Sequence, residues 1–209
     1  MEITRVVYGY TTLPESAILP GGNKAKAIPI DLAFFLLRGE GVLALVDAGC
    51  DHMNGFVLRD FIGPVEALRR LNIAPEDITH ILITHAHGDH MAGVTHFPNA
   101  HVFVQRQEYE RGKNHLREGQ RVTLFDDMLE PLPGVRMVCI GGHSVGSSVV
   151  EVGTTVLAGD ECYTRANLEL DVPTASSCCP ERSRAFLDRY RDWDIQLCHQ
   201  NVRHNREQE

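Results

Sequence analysis

Hydrophobic residues along this chain fall into short runs separated by glycine, proline and polar clusters. Two early runs, "LAFFLLR" (32–38) and "VLALVD" (42–47), are joined by "GEG" and predict a β-hairpin. The stretch before them, "LPGGNKAKAIP" (19–29), reads as loop. Phe61, Val65 and Leu68 then recur at i, i+4 and i+7, which predicts a helix with Pro64 in its first turn and "NIAPED" at its end. "ITHILIT" (78–84) is a buried strand rich in β-branched residues. "HVFVQ" (101–105) is another strand, followed by a short helix, "RQEYERG", closed by Gly112.

The second half repeats the style. "VRMVCI" (135–140), "SSVVEV" (147–152) and "TTVLAG" (154–159) predict three strands with tight glycine turns. A helix after Pro180 carries Phe186, Leu187, Tyr190 and Trp193 on one stripe. A last strand, "DIQLCH" (194–199), leads into a polar tail, "NVRHNREQE", that is expected to fray. Strand clusters with helices between them make an α/β or α+β fold. With short loops throughout, residues 1–209 are expected to form a single domain.

Composition narrows the partners. The chain is 43% hydrophobic and 23% charged, ordinary for a globular protein. A net charge of −8 speaks against a nucleic-acid binder, which needs a basic face. The start "MEITRVVYGY" lacks the basic and apolar regions of a secretory signal, and the longest apolar run, 32–37, is too short to span a membrane. The six cysteines show no C-x-x-C spacing and are read as reduced thiols. The expected location is the cytoplasm, and the expected partner is a small molecule, with no nucleic acid and no membrane.

The densest chemistry is "THAHGDH" (84–90), directly after a strand. His85, His87, Asp89 and His90 fall within six residues, in the post-strand position where α/β proteins place functional groups. His85 and His87 leave the same face of an extended backbone. Neutral imidazole is the commonest metal ligand and a neighbouring carboxylate adds an oxygen donor, so this loop has the donors for two adjacent metals. Gly88 is expected to give the turn its backbone freedom.

"GHSVG" (142–146) has two readings. Gly142-x-Ser144-x-Gly146 fits a serine-hydrolase nucleophile elbow, and the order Ser144, Asp160, His199 mimics a triad. An elbow needs a helix after its serine, whereas "VGSSVVEVG" reads as strand. The triad would also leave the histidine cluster without a role. His143, as a metal ligand, is the preferred reading.

Taken in order, these motifs resemble the metallo-β-lactamase superfamily. "HAHGDH" fits its H-x-H-x-D-H signature, "LVDAG" (45–49) its early strand-end aspartate, and "GGHSVGS" (141–147) its next metal histidine. "LAGDECYT" (157–164) resembles the strand end with the metal-bridging aspartate, and "LCHQ" (197–200) the final histidine. The resemblance implies an αββα four-layer sandwich with two divalent ions, zinc first, iron or manganese as alternatives. It implies one ion on His85, His87 and His143, a second on Asp89, His90 and His199, Asp160 shared, and Asp47 behind the ligands. The implied chemistry is hydrolysis of an ester, lactone or thioester by a hydroxide held between the metals, with Asp89 carrying a proton to the leaving group.

"DECYT" and "VQRQEYE" (104–110) resemble N-acyl homoserine lactonases, in which the tyrosine matching Tyr163 contacts the lactone; Tyr109 is read as core packing. Gly88, Ala92, Cys198 and Gln200 depart from that pattern. A glyoxalase II-like thioester hydrolase, a mononuclear-iron persulfide dioxygenase and a non-catalytic metal binder are the alternatives. Cys162 and Cys198 are read as small buried residues, with strand alternation turning Cys198 away from His199.

Overall fold

From Leu32 to Leu37 every side chain is buried. Neighbours on a strand point to opposite faces, so such a run requires cover on both sides. Leu32, Phe34 and Leu36 pack with Ala67, Leu68 and Met91. Phe35 and Leu37 face the other way, onto Val135, Met137, Val150 and Leu157. The computed structural model, which describes residues 1–39 and 41–201, resolves this into two stacked sheets.

The first sheet has six strands in chain order: β1 (Glu2–Pro14), β2 (Ala27–Gly39), β3 (Val42–Val46), β4 (His80–Ile83), β5 (His101–Gln105) and β6 (Val122–Phe125). β1, β2 and β3 are antiparallel neighbours, and β3 through β6 run parallel. The second sheet comprises β7 (Met128–Leu132), β8 (Val135–Cys139), β9 (Ser148–Val152), β10 (Thr155–Leu157) and β11 (Asp194–Gln196). Its order is β11-β10-β9-β8-β7, with β10 and β11 parallel.

The helices are α1 (Glu15–Ile18), α2 (Pro64–Arg69), α3 (Gly88–Met91), α4 (Arg106–Gly112), α5 (Arg165–Glu169) and α6 (Pro180–Arg189). α2 and α3 cover the outer face of the first sheet. α6 covers the second, where Phe186, Leu187 and Tyr190 pack on Val138, Val149 and Val156. The layers are therefore helix, sheet, sheet, helix, as the family resemblance implied. No helix among the described residues is long and apolar enough to cross a membrane.

Several expectations change. β1, β6 and β7 are additional strands. The loop expected over 19–29 ends early, because Ala27 and Pro29 already pair with Pro14 and Thr12. β11 stops at Gln196, so residues 197–199 leave strand geometry before the histidine. Of the tail expected to fray, residues 202–209 lie outside the described residues.

The topology gathers the strand ends that matter. β3, β4 and β5 are parallel, so Asp47 and the 84–90 loop emerge at one end of the first sheet. β10 and β11 deliver Asp160 and His199 at the same end of the second, and the β8–β9 connection brings His143 there. Two backbone bonds join the sheets at that end: Ser148 N–H to Thr84 O (2.8 Å) and Asp31 N–H to His199 O (3.3 Å).

Candidate metal centre

The centre is built outward from Asp47. This residue ends β3 in left-handed backbone (φ 65°), a conformation in which Asp is among the better-tolerated side chains. Its buried carboxylate accepts the Thr84 N–H (2.8 Å) and the Thr84 hydroxyl (3.0 and 2.9 Å). It also lies 2.7 Å from His90 Nδ1. Because the Thr84 proton goes to Asp47, the Thr84 oxygen is left to accept from His85 Nδ1 at 3.1 Å. His199 Nδ1 lies 2.8 Å from the Asp31 carbonyl, which only accepts. The Nδ1 atoms of His85, His90 and His199 are therefore donors, and each ring turns its Nε2, the atom a metal would take, inward.

Two groups of inward atoms result. In the first, His87 Nδ1 is 2.9 Å from His85 Nε2 and 3.0 Å from His143 Nε2. Asp160 Oδ2 completes it, 3.5 Å from His85 Nε2 and 3.4 Å from His143 Nε2. In the second, His90 Nε2 and His199 Nε2 are 3.3 Å apart, and Asp160 Oδ1 is 3.1 and 3.0 Å from them. Asp89 Oδ2 stands 3.7 Å from both of these imidazoles, and its backbone carbonyl is held by the Tyr8 hydroxyl (3.0 Å).

These nitrogens and carboxylate oxygens converge at close range, and all belong to buried side chains except exposed His87 and half-buried Asp89. A cation suits the spacings: bonds of 2.0–2.1 Å to a tetrahedral ion put ligand atoms about 3.3–3.4 Å apart. The residues fit two divalent ions in donor type, in number and in spacing. The electrostatics favour positive charge at the second group. Burial opposes a charge on His90, yet Asp160, Asp47 and Asp89 together raise its pKa well above the usual imidazole value. His199 is raised against the same burial, by Cys198 and Asp160. His85 is pushed well down, chiefly by burial, and His143 is lowered to about 4 for the same reason. Burial would raise the Asp160 carboxyl, but the surrounding imidazoles, His90 first, hold it well below the ordinary range.

The loop that aims His143 hangs on two buried glutamates. Glu161 accepts the Gly142 and His143 N–H groups, each at 3.1 Å. Burial still raises its pKa, despite these and further donors. Glu108 accepts the Ser144 hydroxyl (2.8 Å) and the Gly146 N–H (2.9 Å), and reaches the Ala86 N–H (2.8 Å) in the histidine loop. Ser144 thus shapes a loop and points at a carboxylate. Gly142 and Gly146 are close approaches, where a Cβ would meet Glu161 and Ser183, or Gln105 and Glu108. Neither glutamate stood out in the sequence, because their roles depend on distant backbone groups. Arg5 was also missed: it binds the carbonyls of Leu197, Cys198 and Gln200 and clamps the segment that carries His199.

A cleft of about 550 Å³ opens onto the centre, lined by Asp89, Asp160, His199, Tyr163, Phe56 and His115 among others. Tyr163 is buried, stacks edge-on against His199 (5.3 Å between ring centres), and accepts the Ser176 hydroxyl at 3.1 Å. Gly88 sits on the wall; its backbone is not left-handed, and a Cβ there would meet open space. The expectation that the turn needs a glycine at 88 is corrected: the close approach is at Gly93, against the Ala48 carbonyl.

Cys198 also departs from expectation. Free of strand alternation, its sulfur lies 3.7 Å from Asp160 Oδ1. Cys162 is buried and contacts the Thr164 carbonyl, as a small core residue would. All six cysteines are free thiols.

An αββα sandwich with an imidazole–carboxylate centre where its strands end defines a class of metal-site proteins. The metallo-beta-lactamase superfamily model matches residues 33–191, and the chain belongs to that superfamily. An N-acyl homoserine lactonase of Bacillus thuringiensis is 30% identical over 188 residues, covering 77% of this chain and 74% of that protein. An N-acyl homoserine lactonase of Bacillus sp is 33% identical with the same coverage. The crystal structure of a B. thuringiensis AiiA mutant with N-decanoyl-L-homoserine bound at its active site superposes with a TM-score of 0.81, over 98% of this chain and 95% of that one, at 22% identity. AidC, a dizinc quorum-quenching lactonase, superposes with a TM-score of 0.77 over 96% and 87%, at 17% identity. These structural likenesses establish the fold.

Proposed function

We propose that this chain is a dinuclear-metal hydrolase that opens lactone rings, with N-acyl homoserine lactones the leading substrate class. The observation that carries the reading is Asp160, whose two oxygens face two separate groups of inward imidazole nitrogens. The lactonase names of relatives 30% and 33% identical support the substrate class. We read residues 1–209 as one catalytic domain working in the cytoplasm.

In this reading His85, His87 and His143 hold one divalent ion, Asp89, His90 and His199 hold the other, and Asp160 is shared. Zinc suits the donors best, with iron or manganese the alternatives. When bound, such ions lower the pKa of a water and polarise a carbonyl. The protein's own groups do the rest. Asp47, Thr84 and Asp31 fix His85, His90 and His199 so that their Nε2 atoms point inward. Water adds to the lactone carbonyl, the ring C–O bond breaks, and the leaving oxygen needs a proton. Asp89, which lines the cleft beside His90 and His199, is placed to deliver it. Tyr163 presents its phenol from the cleft wall to the carbonyl or leaving oxygen.

The test is elemental analysis of undialysed protein together with a panel of lactones, thioesters and glutathione persulfide. About two zinc, manganese or mixed ions per chain with lactone opening is the expected result. His85→Ala and Asp89→Ala should each remove most of the activity. One iron per chain with oxygen uptake on persulfide, or full turnover in both variants, overturns the reading.

A further inference from the structure

We propose that Cys198 is a ligand of the second ion, giving that position a sulfur donor beside His90, His199 and Asp160. The proposal rests on the dinuclear reading above and adds to it. One donor atom from each of these four residues forms a set whose members all lie within 4.8 Å of one another. The Cys198 sulfur is 3.7 Å from Asp160 Oδ1. Bonds of about 2.3 Å to sulfur and 2.0–2.2 Å to oxygen, at a near-tetrahedral angle, hold those two atoms about 3.5–3.7 Å apart.

The approach directions are complementary. Asp89 lines the cleft and reaches His90 and His199 from the solvent side, so that with Cys198 the ion would have five protein donors. Cys198 is buried among Phe35, Val46 and Leu82 between the sheets, and reaches the same group from the core side. It also donates to the Gly159 carbonyl at 3.4 Å, next to Asp160 just past the end of β10. β11 ends at Gln196, and Arg5 grips the carbonyls of Leu197, Cys198 and Gln200. That clamp presents the Cys198 and His199 side chains to one centre, which strand alternation would forbid.

Binding exchanges the thiol proton for the ion: the S–H bond breaks, an S–metal bond forms, and the proton leaves to solvent. No oxidant or reductant is involved. The first group offers only nitrogen and oxygen, so the two positions differ in softness. The second should favour zinc, cobalt or cadmium over manganese more strongly than the first does.

The experiment is anaerobic titration of the chelator-stripped full chain with Co²⁺, followed by absorption. Visible d–d bands count the ions bound, and a near-ultraviolet thiolate-to-cobalt band reports sulfur ligation. The expected result is two Co²⁺ per chain with the thiolate band, which Cys198→Ser loses and Cys162→Ser keeps. Losing a ligand should weaken the second ion at least as much as the ~10–100-fold typical of losing an outer partner. A readout that needs no variant is X-ray absorption of the zinc-loaded wild type, where a sulfur shell at about 2.3 Å is expected. Two bound ions without thiolate band or sulfur shell, or a band that survives in Cys198→Ser, overturns the proposal and leaves the dinuclear reading standing. Failure to bind Co²⁺ at all overturns both.

Discussion

Asp47 and His90 meet at 2.7 Å, carboxylate to Nδ1, with the same carboxylate holding the backbone and hydroxyl of Thr84. One side chain at the end of β3 therefore orients His90 directly and His85 through Thr84. Asp47→Asn isolates this role. Asparagine tolerates the left-handed backbone, and its oxygen still accepts from Thr84. Its amide nitrogen offers His90 no acceptor. Retention of the second ion should fall by about 10–100-fold, with a loss of fold stability of about 1–3 kcal/mol. Competition against a metal chelator and thermal melting read the two effects separately. Unchanged metal affinity would show that His90 is oriented by something else.

Ser144 gives the clearest separation of a metal hydrolase from a serine hydrolase. Its hydroxyl is buried and donates at 2.8 Å to Glu108, a carboxylate already committed to the Gly146 and Ala86 amides, rather than to an imidazole. Ser144→Ala should leave turnover close to wild type and lower stability by about 1.5–3 kcal/mol, the scale of one hydrogen bond to a charged acceptor. A serine-directed phosphonate should not inhibit. Loss of turnover in a folded Ser144→Ala protein would restore the nucleophile reading.

Much of this was legible in the sequence, for a physical reason. Central strands such as "LAFFLL" and "ITHILIT" are buried on both faces, so their apolar runs are unmistakable. The three strands that were missed, β1, β6 and β7, all lie at sheet edges. β1 breaks its own alternation with a bulge between Val7 and Gly9, and β7 contains Pro131, tolerated there because an edge strand has a free side. In the centre, the histidines and Asp160 were legible because chemistry restricts which residues serve. Their supports were not. Asp31 acts through a carbonyl, Arg5 grips carbonyls more than 190 residues away, and Glu108 and Glu161 hold backbone amides. Such roles depend on the folded path and leave no residue pattern. Cys198 is the small buried residue expected, but strand alternation does not reach it, because β11 ends at Gln196.

Two neighbouring glycines should respond oppositely to the same change. A Cβ at Gly93 would strike the Ala48 carbonyl, which is fixed because the Ala48 N–H binds His90 O at 2.7 Å. Gly93→Ala should cost about 1–3 kcal/mol by overpacking, lowering Tm by roughly 2–4 °C per kcal/mol in a chain of this size. Gly88 begins α3 with open space where its Cβ would be. Gly88→Ala should not lower Tm. Equal Tm losses in the two variants would contradict the assignment of the close approach to Gly93.

Tyr163 joins the centre to the cleft. Burial first, and then the Asp160 charge, raise its pKa well above the ordinary phenol value, so the ring keeps its proton. Ser176 donates to the phenol oxygen, while the phenol's own proton faces Asp160, beside the cleft oxygen it would serve. Tyr163→Phe keeps the ring stacked on His199 and removes only the donor. kcat for lactone opening should fall by as much as ~10²–10³, the range for losing one oxyanion donor. KM should change little, because the bond strengthens as charge builds on the oxygen. Metal content should stay at the wild-type level, which separates a donor from a residue that merely props up the ligands. An unchanged kcat would reduce Tyr163 to a packing role.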